Sequence, residues 1–231
     1  MIDTKQYTEL VETAARRYWD FGRFVHGFAR GKLLHDPVYR AILELNVLPE
    51  QGKILDLGCG RGILLALLTT RRQLNKDISP DLVFKGIELR SKDAQIAQVV
   101  LGAGADIVNA DIRSVVIADC QLVILLDVLL YMREPEQKQV LQRIADALPA
   151  NGTLIMREAD ASASLRYLMT WGGERFCALS RGHWLQSYHY RSQHAWVSLL
   201  EQLGFTVTTY PMSEGTPFAN VLFVAKRNAS D

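Results

Sequence analysis

The feature that most constrains this chain lies between residues 53 and 72. An apolar segment, KILDL, runs into glycines at 58, 60 and 62, and ILLALLTTRR follows at once with helical periodicity. Glycine tolerates positive φ and lets a ligand lie directly against the backbone. A helix that starts there offers unpaired N–H groups to an acceptor. The expectation is a buried strand, a ligand-binding turn and a helix, the opening unit of an α/β protein.

The rest of the sequence extends that unit. Strands are predicted at 82–89, 106–110, 122–128 and 153–159, and helices at 63–72, 91–103 and 134–148. Near-continuous apolar strands alternating with amphipathic helices predict a doubly wound, mostly parallel sheet covered on both faces. The end differs: a helix at 192–203 precedes strands at 205–212 and 220–227, with about eight residues between those strands. That is too short for a helical crossover, so they should pair antiparallel. Residues 3–45 read as helices broken near Gly31 and at Asp36-Pro37, rich in aromatics such as Tyr7, Tyr18, Trp19 and Phe28. Residues 160–191 do not fit the alternation and read as an insertion. The organisation expected is therefore an N-terminal helical lid over 1–46 and a ligand-binding domain over 47–231. Helices that merely complete the core are the competing reading of 1–46.

Composition narrows the function. A net charge of +1 leaves no bulk electrostatic footprint for nucleic acid or an anionic membrane. Three widely spaced cysteines give neither metal-ligand nor redox spacing, and the five histidines share no metal-binding spacing on one helix face. The densest apolar run, 122–132, is interrupted by Asp127 and too short to span a bilayer. Without a signal-like N-terminus, a cytoplasmic setting is the default expectation.

Four constellations fall at the expected carboxyl ends of strands, where open α/β sheets bind ligands. In DLGCGRG, position 63 is isoleucine, so the dinucleotide pattern G-x-G-x-x-G is not met. Asp56, two residues before Gly58, suits a ligand bearing an ammonium or sulfonium group better than a pyrophosphate. Glu88, beside Leu89 in IELR, can accept hydrogen bonds from ribose hydroxyls. It lies 26 residues beyond Gly62, against roughly 20 in the tightest version of the pattern, the surplus being the polar loop at 73–81. In NADI, Asp111 can take an adenine amino group while Ile112 packs on the ring, although a simple turn role is also open. Asp127 ends the long apolar strand, where an unpaired carboxylate is costly to bury.

Taken in order, DLGCGRG, IELR, NADI and LLDVLLYM resemble the conserved motifs of class I S-adenosylmethionine-dependent methyltransferases over about residues 50–160. The resemblance implies a Rossmann-like seven-stranded sheet with the last strand antiparallel, and S-adenosyl-L-methionine as cofactor. It further implies that Asp56, Gly58, Cys59 and Gly60 line the methionine end, that Glu88 and Leu89 lie at the ribose, and that Asp111 and Ile112 lie at the adenine. Asp127 would stand near the amino or sulfonium end. ARGKLLHDPVY, LSRGHWLQSYHYRS and MSEGTPFANVLFVA resemble, more narrowly, methyltransferases encoded beside aryl-polyene and fatty-acid-like biosynthesis enzymes. Leu130 occupies a position where such relatives are expected to have histidine.

The reaction expected is displacement of the sulfonium methyl by an acceptor, with a base needed only where the nucleophile must lose a proton. His189, His183 and Tyr131 are the candidate bases, with Glu158 behind them. The aromatic surplus outside the sheet suggests a hydroxyl on a small or acyl-carrier-bound aromatic acid, though aromatic density also serves plain packing. No nucleic acid partner and no metal are expected. The alternatives are a cofactor-binding protein without transferase activity, a nucleotide-sugar or dinucleotide enzyme, and a methyltransferase acting on a macromolecule.

Overall fold

The computed structural model describes residues 2–75, 78–161, 188–213 and 219–229. Seven strands form one sheet in the order β3-β2-β1-β4-β5-β7-β6. They are β1 (Gly52–Leu57), β2 (Leu82–Glu88), β3 (Asp106–Asn109), β4 (Leu122–Leu126), β5 (Thr153–Ala159), β6 (Phe205–Pro211) and β7 (Asn220–Arg227). Strand β1 is parallel to β2 and β4, β2 is parallel to β3, and β7 runs antiparallel to both β5 and β6. The reversal of the last strand follows from its short connection to β6, which has no room for a crossover.

The chain divides into two compact units, Met1–Ile124 and Leu125–Asp231. In the first, α4 (Ile63–Asn75) follows β1 and α5 (Ser91–Leu101) follows β2. Ile54, Leu55 and Leu57 of β1 are buried, as are residues 63–70 of α4, so this unit has a dense aliphatic centre. Before the sheet come α1 (Thr4–Arg16), a short 3-10 turn at Trp19–Phe21, α2 (Arg23–His35) and α3 (Pro37–Glu44). Asp3 caps α1 by accepting from the amides of Lys5 and Gln6. Asp36 caps α3 by accepting from Val38 N–H, with Pro37 at its first position. Leu10, Val11, Ala14 and Ala15 of α1 are buried, and α1 packs on α2 and α4.

The N-terminal breaks differ from expectation at one point. Gly31 lies inside α2, and the break falls instead at Gly22, whose φ of 91° no other residue type adopts easily. Burial of Ala29 and Leu33 offsets the cost of about 1 kcal/mol that a helical glycine carries.

The second unit contains α6 (Glu134–Ala147), α7 (Gln193–Gln202) and strands β5, β6 and β7. All seven residues of β5 are buried, and α7 packs on β6 and β7 through Trp196, Leu199 and Leu200. Strand β4 ends at Leu126, two residues short of the predicted 128, because Asp127 adopts a φ of 58°. Most of the expected insertion, with His183, Trp171, Trp184 and Arg181, lies outside the described residues. Among the described residues, no helix is long and apolar enough to cross a membrane.

Candidate functional site

The glycine turn is built from its backbone outwards. Gly58, Gly60 and Gly62 have φ of 77°, 57° and 74°. The N–H groups of Gly58 and Cys59 both donate to the Ile87 carbonyl, at 2.7 and 3.0 Å, which folds the turn back over the end of β2. Gly60 N–H donates to Glu88 Oε2 at 2.9 Å, and Gly62 N–H donates to the Cys59 carbonyl. The glycines serve different ends. A Cβ on Gly62 would come within 2.8 Å of Leu101 Cδ1, so that glycine lets α5 pack against the start of α4. A Cβ on Gly60 would meet nothing within 4 Å. Gly60 therefore borders open space, and its bare backbone faces whatever occupies it.

Two carboxylates stand at this turn. Glu88, at the end of β2, accepts from Gly60 N–H through one oxygen and from Arg90 N–H, at 2.8 Å, through the other. Asn109 locks that strand end from β3 by donating to the carbonyls of Glu88 and Leu89. Asp56 is only 4% exposed, and no described residue hydrogen-bonds its carboxyl. Burial, reinforced by the Glu88 carboxylate, pushes its pKa up to about 7. Burial also raises the Cys59 thiol well above its ordinary range, with Asp56 and Glu88 adding to the effect.

The remaining expected cofactor residues are more varied. Asp111 accepts from the Arg113 amide and pairs with its guanidinium at 2.6 Å, which lowers its pKa. Ile112 is buried within the protein, whereas Leu89 is 60% exposed and offers an apolar surface beside Glu88.

In the second unit, Asp127 is held by Arg157 through both carboxylate oxygens, Nε at 2.8 Å from Oδ1 and Nη2 to Oδ2. The next residue of β5, Glu158, is buried and accepts from Leu129 N–H at 2.8 Å. Burial, followed by the Asp127 charge, raises its pKa to about 8. Gln137 of α6 is fully buried and donates to the carbonyls of Leu129, Met132 and His189, while Arg191 donates to its Oε1. His189 N–H donates to the Leu130 carbonyl, so the backbone of one candidate base is tied beside another, Tyr131. The Tyr131 and Tyr188 rings lie 5.7 Å apart, and those of Tyr188 and Tyr190 stack at 6.2 Å. No group of three or more His, Cys, Asp or Glu among the described residues is arranged to hold a metal.

The sequence did not single out Arg157 or Gln137; a charged residue inside the apolar strand TLIMREA was the available signal for Arg157, and Gln137 carried none. The basic pair Arg16-Arg17 reads in sequence as a solvated face, whereas Arg17 is half-buried and donates to the Val100 carbonyl and to the Thr69 and Thr70 hydroxyls.

A model of the methyltransferase domain matches residues 28–210, most of the chain. This chain belongs to the methyltransferase-domain family. Two curated relatives, both named carboxy-S-adenosyl-L-methionine synthase, come from Campylobacter concisus (28% identical, 51% of this chain and 49% of that protein) and a Psychrobacter species (30% identical, 46% and 40%). The chain thus spans less than half the length of these relatives. Among solved structures, an O-methyltransferase family protein from Burkholderia thailandensis aligns with TM-score 0.64 at 14% identity, over 98% of this chain and 74% of that one. Human N-acetylserotonin methyltransferase in complex with its cofactor aligns with TM-score 0.63 at 16% identity, over 99% and 61%. At such identities the likeness carries the fold.

The glycine turn has features that fit an S-adenosylmethionine cofactor. Open space at Gly60 leaves the backbone accessible, and a buried carboxyl without a protein donor suits a cationic ligand group.

Proposed function

We propose that this methyltransferase acts on a hydroxyl oxygen of a small or carrier-bound aromatic acid. The observation that carries this reading is the cluster of Tyr131, Tyr188 and Tyr190 in the second unit, whose rings pack on one another and leave Tyr131 exposed to receive a planar group. Asp56 and Glu88 would hold the cofactor at its cationic and ribose ends, with Gly58, Cys59 and Gly60 as backbone contacts. Leu89, Asp111 and Ile112 would border the adenine. Asp127, neutralised by Arg157, would shape the site rather than carry free charge. When bound, S-adenosylmethionine supplies an activated methyl group. The chain's own task is alignment of the acceptor, exclusion of water and, for a phenol, acceptance of its proton. His189 and Tyr131 are the described candidates for the last role. The helices of residues 1–46 would form a lid beside the cofactor turn of their own unit.

The test is incubation with methyl-labelled cofactor and a panel of hydroxyaromatic acids, both free and as pantetheine thioesters. Labelled methyl ether together with released S-adenosylhomocysteine is expected. Labelled amine or ring-carbon products would redirect the acceptor assignment, and no label transfer to any member of the panel would reject it. The similarity to two carboxy-S-adenosyl-L-methionine synthases favours one second reading, in which the cofactor itself is the group modified. Mass spectrometry separates the two: that reading requires a carboxylated cofactor and no methylated acceptor.

A further inference from the structure

We infer that the N-terminal helices are a working part of the cofactor turn, with Tyr18 as its positioning residue. The inference rests on the assignment of the glycine turn to S-adenosylmethionine. Tyr18 is fully buried, and its hydroxyl donates to the Arg61 carbonyl at 3.0 Å. Within the turn, the N–H groups of residues 58, 59, 60 and 62 are already engaged by β2, Glu88 and the turn itself. The Arg61 carbonyl is the point at which a segment more than forty residues upstream takes hold. Burial keeps the phenol protonated, so it remains a donor across the working pH range.

Tyr18 is itself held in place by its neighbour. Arg17 donates to the Val100 carbonyl at 3.0 and 2.7 Å, at the C-terminal end of α5, and to the hydroxyls of Thr69 and Thr70 on α4. Orphan carbonyls at a helix end are natural partners for a guanidinium. The side chain of Arg61 is gripped from two sides, by Asp93 of α5 at 2.9 Å and by the Phe28 ring of α2 at 5.7 Å. The turn is thus fastened at backbone and side chain by α2, α5 and the junction after α1. A turn whose glycines make it flexible gains from such fastening, because order present before binding need not be established during it.

The experiment compares Tyr18→Phe with Tyr7→Phe. Tyr7 also loses one buried phenol-to-carbonyl bond, to Leu33 at 2.6 Å, but that bond lies wholly within the N-terminal helices. Hydrogen–deuterium exchange of the 57–64 peptide in ligand-free protein, and calorimetric titration with S-adenosylmethionine and S-adenosylhomocysteine, are read for both variants. Tyr18→Phe is expected to accelerate exchange in that peptide and to raise both Kd values about fivefold, the equivalent of one neutral hydrogen bond. Tyr7→Phe should lower Tm and leave the peptide and both affinities unchanged. Equal effects from the two variants, or an unchanged turn in Tyr18→Phe, would overturn the inference. The exchange readout needs no cofactor, so a wild-type protein that binds none would reject the cofactor assignment while Tyr18 is still decided. If Tyr18→Phe does not fold, Phe28→Leu decides on the same readouts, with a smaller change in the same direction expected.

Discussion

Asp56 and Asp127 are the same residue type at the carboxyl ends of their strands, yet the protein treats them in opposite ways. Asp127 has its cation built in, since Arg157 grips both oxygens. Asp56 has none among the described residues: it is buried beside a second carboxylate, and its pKa rises to about 7. A buried charge is tolerated when a partner is present and is costly when it is not. The Asp127 carboxylate has its partner within the protein, whereas the Asp56 turn leaves a carboxyl that a cationic ligand group would complete under the proposed cofactor assignment. Difference in electrostatic satisfaction, and not the mere presence of acid groups, separates the two regions.

The most severe way to break that contrast is to remove the cation from the complete region. Arg157→Met should cost on the order of 3–5 kcal/mol in chemical denaturation, because the Asp127 carboxylate loses its charge partner. Adding Asp127→Asn should restore part of the loss, and equal stability of the single and double variants would contradict the account.

Next come the glycines. Gly62→Val forces a Cβ to within 2.8 Å of Leu101 at a φ of 74°, and a loss of about 2–4 kcal/mol of stability is expected. Gly60→Val meets no atom within 4 Å, so its stability cost should be limited to backbone strain while cofactor binding is lost. Thermal unfolding paired with titration distinguishes them.

Asp56→Ala and Glu88→Ala should each weaken cofactor binding by about 1–3 kcal/mol, read by isothermal titration. Unchanged affinity in both would remove them from the cofactor site. Asp56→Asn should in addition leave the ligand-free protein as stable as wild type or more so at pH 8, because it removes an uncompensated buried charge.

The pH dependence sharpens the same contrast. A carboxyl whose pKa is raised by folding holds its proton more tightly in the folded state, so stability falls as pH rises from the ordinary value near 4 to about 7, then levels off. A cationic ligand group favours the ionised form, so cofactor affinity should rise with pH up to about 7, by at most about tenfold per unit. Asp56→Asn should flatten that profile.

Much of this was readable in advance. Strands β5 and β7 fall where their short apolar runs placed them, each bounded by turn residues. Asp56 and Glu88 were legible because one short motif and one strand end carry them. The partnership of Asp127 with Arg157 was not, since it joins residues thirty positions apart. Tyr18 looked like one aromatic among several, and only the fold brings its hydroxyl to Arg61. Gly31 misled because a glycine marks a break only where its conformation is used, and there it is not.

Cys59 gives the turn one further property. A strong alkylating agent is a hazard to any thiolate held near it, because the thiolate is the reactive form. Gly86 leaves just enough room for the Cys59 sulfur: a Cβ there would come within 2.7 Å of it. Burial and the two neighbouring carboxylates keep that sulfur protonated. Under the proposed cofactor assignment, the burial and paired carboxylates that would suit the turn to a cationic methyl donor also hold its own cysteine in the less reactive thiol form.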